Sequence, residues 1–232
     1  MSSASNSLDA ITLFQCMAPD RRAALADLCR WRDVPAGQQI IDRDDDNNDV
    51  YFVTDGLVRV VNFSISGREI SFEDLEKGEF FGEIAAFDHG VRSASVVARN
   101  DTRLAVMSAE TFINAINDDA GVCRTVLAHL ARTVRQATDR IMDLSTVAAN
   151  NRVQAEILRL ARAGEKEDGS AVIAPIPVHS DIASRVSTTR ETVARVMSDL
   201  TKLGLVERTS RTLLVSDLEA LEEMVDEVRG EV

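Results

Sequence analysis

The sequence is poor in the groups that would hold a metal, cross a bilayer or clothe the chain in positive charge. Its three cysteines, Cys16, Cys29 and Cys123, are odd in number and too widely spaced for a C-x-x-C metal or redox pattern. They are also one short of the four ligands of an iron–sulfur cluster, so buried or incidental thiols are expected. The three histidines, His89, His129 and His179, stand apart, and no Ser-His-Asp or paired-carboxylate pattern emerges, so neither a metal nor an enzyme is expected. Apolar runs are short, as at Val58, Val60 and Val61, against the roughly 18 to 20 residues a bilayer needs. Met1 to Asp9 has neither a basic nor an apolar signal-peptide region, so the expectation is a cytoplasmic protein with no membrane association. Lysine occurs only as Lys77, Lys166 and Lys202, a bias that speaks of genome composition. With 26 basic against 38 acidic residues the net charge is -12, and the chain taken whole should repel nucleic acid.

What is present is ordinary globular material. The 232 residues, 45% hydrophobic and 28% charged, suffice for one or two domains with a sizeable core. From Val34 to Ser108, short alternating runs are punctuated by Pro35-Ala-Gly37, Asp55-Gly56, Ser66-Gly67 and Asn100-Asp101, the pattern of an antiparallel sandwich, roll or barrel. The acidic run 44 to 49 lacks the glycine and closing glutamate of a calcium loop and reads as a solvated turn. A helix is expected from about Ala109 to Thr146. Cys123, Leu127, Leu130, Val134, Ala137, Ile141, Leu144 and Ala148 alternate steps of four and three, a coiled-coil seam. Such a seam packs either on the chain's own sheet or, since the chain has no second helix of this kind, on the same helix of another copy; the second option makes a symmetric dimer.

The asparagines of Ala148-Ala-Asn-Asn151 suggest a hinge before an amphipathic stretch from Arg152 to Ala163. Further on, helix Ser180–Val186, the turn Ser187-Thr-Thr189, helix Arg190–Leu203, and strands Leu205–Arg208 and Thr212–Val215 describe a helix-turn-helix with a hairpin wing. Residues 217 to 232 read as a short acidic helix at a solvated terminus. Within 178 to 215 six basic residues (Arg185, Arg190, Arg195, Lys202, Arg208, Arg211) outnumber four acidic ones, so the local field differs in sign from the whole.

Two constellations carry chemistry. In Phe80-Phe-Gly-Glu-Ile-Ala-Ala-Phe87, Gly82 and Glu83 open a short helix, offering bare backbone N–H groups to an anion and a carboxylate to a hydroxyl pair. Arg92 and Ser93, ten residues on, supply a guanidinium fork and a hydroxyl for one phosphate. Together they describe a nucleotide site; the plainer alternative is that Arg92 pairs with Glu83 to close the turn. In Thr189-Arg-Glu-Thr-Val-Ala-Arg195, Arg190 and Arg195 can each fork to guanine O6 and N7, and Glu191 can accept from cytosine N4. The alternative there is an ordinary i,i+4 pair of Glu191 with Arg195. His179, Ser180, Ser187, Thr188 and Thr189 are candidates for phosphate contacts that set position.

Phe81-Gly-Glu-Ile-Ala through Arg92-Ser-Ala-Ser-Val resembles the phosphate-binding cassette of cyclic-nucleotide-binding domains, and residues 10 to 216 as a whole resemble the catabolite activator and fumarate-nitrate regulator superfamily of bacterial transcription regulators. The resemblance implies an α+β fold: an N-terminal antiparallel β-roll with N-terminal helices (1–108), a long coiled-coil dimerisation helix and hinge (109–149), and a C-terminal winged helix-turn-helix (150–232). It implies that Glu83 takes the ribose 2'-hydroxyl and that Arg92 and Ser93 take the cyclic phosphate, with Gly82, Ile84 and Ala94 completing the site. It also implies a homodimer on double-stranded DNA with palindromic TGTGA-like half-sites, and RNA polymerase as a further partner. Where cAMP-responsive members carry a Thr-Ser pair against the adenine, this chain has Ala137-Thr138, which loses one hydroxyl. The expected effector is a cyclic mononucleotide, cAMP before cGMP. The open alternatives are a same-fold redox or gas sensor, a constitutive DNA binder, and a cyclic-nucleotide-regulated enzyme; for the last, no catalytic constellation is found in residues 150 to 232.

Overall fold

The computed structural model describes residues 6–229. The chain divides into two compact units, one ending at Val134 and the other beginning at Arg135. In the first, a 3-10 turn (Thr12–Phe14) and helix α1 (Pro19–Asp27) precede strands β1 (Arg30–Val34), β2 (Gln39–Ile41), β3 (Val50–Asp55), β4 (Leu57–Phe63), β5 (Glu69–Glu76) and β6 (Phe80–Phe81). Helix α2 (Glu83–Asp88), strands β7 (Ser95–Ala98) and β8 (Thr102–Met107) and helix α3 (Ala109–Asp118) follow, and then α4 (Ala120–Thr146). The strands form two four-stranded antiparallel sheets, ordered β1-β8-β3-β6 and β2-β7-β4-β5.

The first sheet is a middle layer. Successive side chains of a strand point to opposite faces, so on β3 Val50 and Phe52 join Phe14, Phe112, Val122 and Val126 beneath the helices, while Tyr51 and Val53 join Val58, Leu75 and Val96 between the sheets. Apolar residues on both faces of β3 are the signature of a strand covered on both sides. The expected sheet start at Val34 is four residues late: β1 begins at Arg30, where it pairs with Val106 of β8.

The single helix expected from Ala109 to Thr146 is two. Asp119 sits in extended conformation between α3 and α4, and its Oδ1 accepts from the backbone N–H of Gly121 (2.9 Å) and Val122 (3.2 Å), starting a new helix. The interruption expected at Ala148-Ala-Asn-Asn151 falls on its first residue. Ala148 has φ -62° and ψ 150°, and α5 (Ala149–Arg162) already contains Asn150 and Asn151 in its first turn, Asn151 N–H donating to the Ala148 carbonyl (3.0 Å).

In the second unit, α5 leads to β9 (Ala171–Ile173), α6 (His179–Arg185), α7 (Arg190–Lys202), β10 (Val206–Arg208), β11 (Leu213–Val215) and α8 (Leu218–Arg229). The expected two-stranded wing is a three-stranded sheet, β10-β11-β9. Nor is α8 a solvated terminus: Leu218, Leu221 and Val225 are buried in a core shared with Val153 and Ile157 of α5, Val193, Val196 and Leu200 of α7, and Val215 of β11. Among the described residues no helix is long and apolar enough to cross a membrane, and no group of three or more His, Cys, Asp or Glu side chains is arranged to hold a metal ion.

Candidate nucleotide site and nucleic-acid interface

The nucleotide candidates are built around one buried cation. Gly82 turns the chain from β6 into α2 in the left-handed region (φ 88°), delivering Glu83 as the first residue of that helix. Arg92, 3% exposed, reaches back across this turn. Its Nη1 donates to the Gly82 carbonyl (2.8 Å), and its Nη2 donates to the Asp49 carbonyl (2.6 Å) and to Asn47 Oδ1 (3.1 Å). The guanidinium carbon stands 5.7 Å from the centroid of the Tyr51 ring. Arg92 Nε is buried and without a hydrogen-bond partner.

A buried guanidinium is costly unless paired. Burial lowers the Arg92 pKa, with Tyr51, Asp49, Asp45 and Glu83 acting in the opposite sense. Burial likewise raises that of Tyr51. Two of the guanidinium nitrogens are spent on fixing the fork, and the third is an N–H donor facing no acceptor.

Arg92 and Glu83 do not pair with one another. Glu83, 6% exposed, has its Oε1 3.4 Å from Nε2 of His129 on α4. The turn-closing alternative for Arg92 therefore fails on Glu83 and holds only for the Gly82 carbonyl. Ser93 is exposed and its carbonyl accepts from Asn62 Nδ2 (3.3 Å); Ile84 is exposed on α2 and Ala94 is half-buried at the foot of β7. Ala137 and Thr138 lie on α4 beyond Val134, both exposed.

Two contributions escaped the sequence reading. The acidic run is more than a solvated turn: Asp44 N–H donates to the Arg92 carbonyl (3.1 Å), Arg92 N–H donates to the Asp45 carbonyl (2.9 Å), and Asn47 and Asp49 grip the fork. Nothing in a pattern of acidic residues indicates that their backbone carbonyls and one asparagine amide do the work. His129 is not isolated. It falls seven residues after Val122 and three after Val126, the buried face of α4, so a second helical stripe beside the seam could have placed it against the roll.

The seam itself divides. Cys123 and Leu130 lean on the first unit's core, whereas Leu127, Val134 and Ile141 are 61%, 65% and 64% exposed, with Ala137 and Leu144 open beside them. Packing on the chain's own sheet thus accounts for part of the stripe and leaves a heptad-spaced apolar row uncovered.

In the second unit, α7 is held by Val193, Val196 and Leu200 and capped by Thr189, whose Oγ1 accepts from Thr192 N–H (3.2 Å). Arg190, Glu191 and Arg195 are all exposed on it. Arg195 donates through Nη2 to Asn150 Oδ1 (3.0 Å) instead of pairing with Glu191. The Glu191 carboxyl is held below its ordinary pKa by its own backbone N–H and the Thr189 hydroxyl. His179 and Ser180 open α6, half-buried. Ser187, at φ 53°, makes the sharp turn between the helices and accepts from Arg140 Nη2 (3.1 Å). Thr188 departs from the expectation: it is 5% exposed, on the packed side of the turn, because its N–H closes onto the Ala183 carbonyl (2.9 Å).

Two family models match this chain: a cyclic nucleotide-binding domain over residues 31–119 and a Crp-like helix-turn-helix domain over residues 151–224. The cyclic AMP receptor protein of Thermus thermophilus is 33% identical over 214 residues, 91% of this chain and 95% of that protein. The CRP-like cAMP-activated global transcriptional regulator of Mycobacterium tuberculosis is 27% identical over 90% of this chain and 94% of its own length. Among solved structures, the Thermus thermophilus catabolite activator protein matches at a TM-score of 0.53 and 32% identity, covering 93% of this chain and 99% of that one. A CooA mutant from Carboxydothermus hydrogenoformans shares the fold at a TM-score of 0.78 and 22% identity, covering 96% and 97%.

Proposed function

The chain belongs to the catabolite activator and fumarate-nitrate regulator superfamily, in its cyclic-nucleotide-binding branch, and on that premise we propose that it is a homodimer whose grip on palindromic DNA is gated by cAMP. That it is a transcription regulator with a cyclic-nucleotide-binding domain and a DNA-binding helix-turn-helix follows from the membership. Effector, dimer and operator are our reading.

The observation that carries the effector is the unpartnered Nε of Arg92. A cyclic phosphate accepts from it and from the Ser93 hydroxyl, and the Glu83 carboxylate accepts from the ribose 2'-hydroxyl. Support for cAMP over cGMP comes from the Thermus and Mycobacterium relatives, whose names carry cAMP. The dimer is supported by the uncovered row Leu127, Val134 and Ile141, which a second copy of α4 would cover in a heptad register. On DNA, Arg190, Glu191 and Arg195 read base edges of TGTGA-like half-sites, Thr189, Ser187, His179 and Ser180 set position on phosphates, and RNA polymerase is the partner beyond the operator. The nucleotide works only through differential affinity for two states of the dimer.

The deciding experiment is calorimetric titration with cAMP and with cGMP, each followed by a gel shift on a palindromic TGTGA-type duplex. Saturable cAMP binding that tightens DNA binding is expected, and Arg92→Ala should bind neither nucleotide while remaining folded. A wild-type protein indifferent to both, or an Arg92→Ala protein gated normally, ends this reading.

A further inference from the structure

The ribose carboxylate is wired to the central helix. Glu83 Oε1 lies 3.4 Å from His129 Nε2, and the imidazole is itself fixed, its centroid 4.6 Å from that of Phe80, which packs on Phe52 and Phe112 at 6.2 and 6.4 Å. We infer that His129 is a positioning residue for Glu83, so that the protonation of one histidine on α4 tunes recognition of the ribose and makes nucleotide affinity depend on pH. The inference rests on the reading of a cyclic mononucleotide as effector.

The charges around the pair fix the sign. From β5, half-buried Glu73 has its pKa raised, first by burial and then by Glu79 and Glu83, while His129 and Arg132 act against the rise. His129 and Arg132 of α4 thus act on the Glu73 carboxyl against Glu79 and Glu83, and the Arg92 guanidinium also feels the Glu83 charge. An imidazolium 3.4 Å away holds the Glu83 carboxylate aimed, ready to accept from a hydroxyl. Neutral imidazole offers at most a weaker N–H and no charge. Histidine is the side chain whose charge changes between pH 5 and 8, so affinity for a ribose bearing its 2'-hydroxyl should be higher at pH 6 than at pH 8. His89, the other histidine of the first unit, is exposed at the opposite end of α2 and serves as the internal control.

The test is calorimetric titration of the full-length protein with cAMP and with 2'-deoxy-cAMP at pH 6 and pH 8, in wild type, His129→Gln and His129→Ala. The expected wild-type result is a Kd for cAMP that rises about fivefold from pH 6 to pH 8, with 2'-deoxy-cAMP unchanged within about twofold. His129→Gln, which keeps a donor and loses the charge, should flatten the cAMP profile. His129→Ala should weaken cAMP about tenfold at pH 6 and leave 2'-deoxy-cAMP nearly untouched. A flat wild-type profile, a slope that survives in His129→Gln, or equal losses for both nucleotides in His129→Ala overturns the inference while leaving the proposed effector standing. Should His129→Ala fail to fold, the wild-type and His129→Gln profiles decide alone. A wild type that binds neither nucleotide overturns the effector and this inference with it.

Discussion

A Cβ added at Gly82 would stand 2.9 Å from the Asp49 carbonyl oxygen and 2.7 Å from Arg92 Nη1, at a φ that L-residues avoid. Left-handed backbone alone costs roughly 1 to 2 kcal/mol, and the nearer atom is the fork that the nucleotide needs. Gly82→Ala is therefore expected to lower the first unit's stability by about 2 kcal/mol and to raise the Kd for cAMP at least tenfold, read by thermal unfolding and calorimetry. Unchanged affinity with lowered stability would separate the turn from the fork. The thiols permit a second test. Burial pushes the Cys29 thiol up to about 11, whereas Cys16 is exposed. Since the thiolate is the nucleophile, alkylation at pH 8 should label Cys16 far ahead of Cys29; equal rates would contradict the burial of Cys29. At this scale the sequence discloses residue types at fixed local spacing, as with Gly82, Glu83 and Arg92. It does not disclose that a carbonyl 43 residues from Arg92 closes its fork, because any residue offers the same carbonyl.

Helix α4 is apolar on two faces, one buried and one open, and this is why its seam was legible while the cover of its open face was not. Val122, Val126 and His129 turn inward, and Leu127, Val134 and Ile141 turn out; periodicity shows that a stripe is apolar without saying what covers it. Ile141→Glu sits on the outward row and belongs to no buried cluster of either unit, so it should leave each unit folded and shift sedimentation from dimer to monomer. A dimer that persists would place the interface elsewhere. The break before α4 has the opposite cause: an Asp cap ends one helix and begins another with no proline, and Gly121 in the first turn of α4 is a breaker that a helix interior also tolerates. The acidic composition of α8 suggests a solvated helix, although Leu218, Leu221 and Val225 repeat at helical spacing and are buried. Leu221→Ala should cost the second unit about 2 to 5 kcal/mol, measurable by denaturant unfolding; a loss under 1 kcal/mol would return α8 to the surface. A three-residue strand such as β9 is too short for any alternation to show.

The chain is two compact units, each with its own buried core, with charge unevenly shared. A net charge of -12 opposes a DNA partner, so the exposed Arg190 and Arg195 must act locally, and binding should weaken steeply with salt. The division at Val134 and Arg135 makes a further prediction about ligand linkage. Gly82, Glu83, His129 and Arg92 all lie in the first unit, and each unit has its own buried cluster. Two calorimetric transitions are expected. The proposed sugar and phosphate contacts, Glu83, Arg92 and Ser93, belong to the first unit, so cAMP at 100 times its Kd should stabilise that unit by about 2.7 kcal/mol. With about 2 cal/mol/K of unfolding entropy per residue, this raises its midpoint by roughly 10 °C and leaves the other midpoint nearly in place. A specific duplex in excess should do the reverse, raising the transition of the helix-turn-helix unit. The allosteric term is then a measurable remainder: linkage is reciprocal, so whatever cAMP adds to DNA affinity must reappear as extra stabilisation when both ligands are present. Shifts that merely add would leave the two sites uncoupled, whereas a surplus of 1 to 3 kcal/mol or so in the doubly liganded protein would be the gate itself.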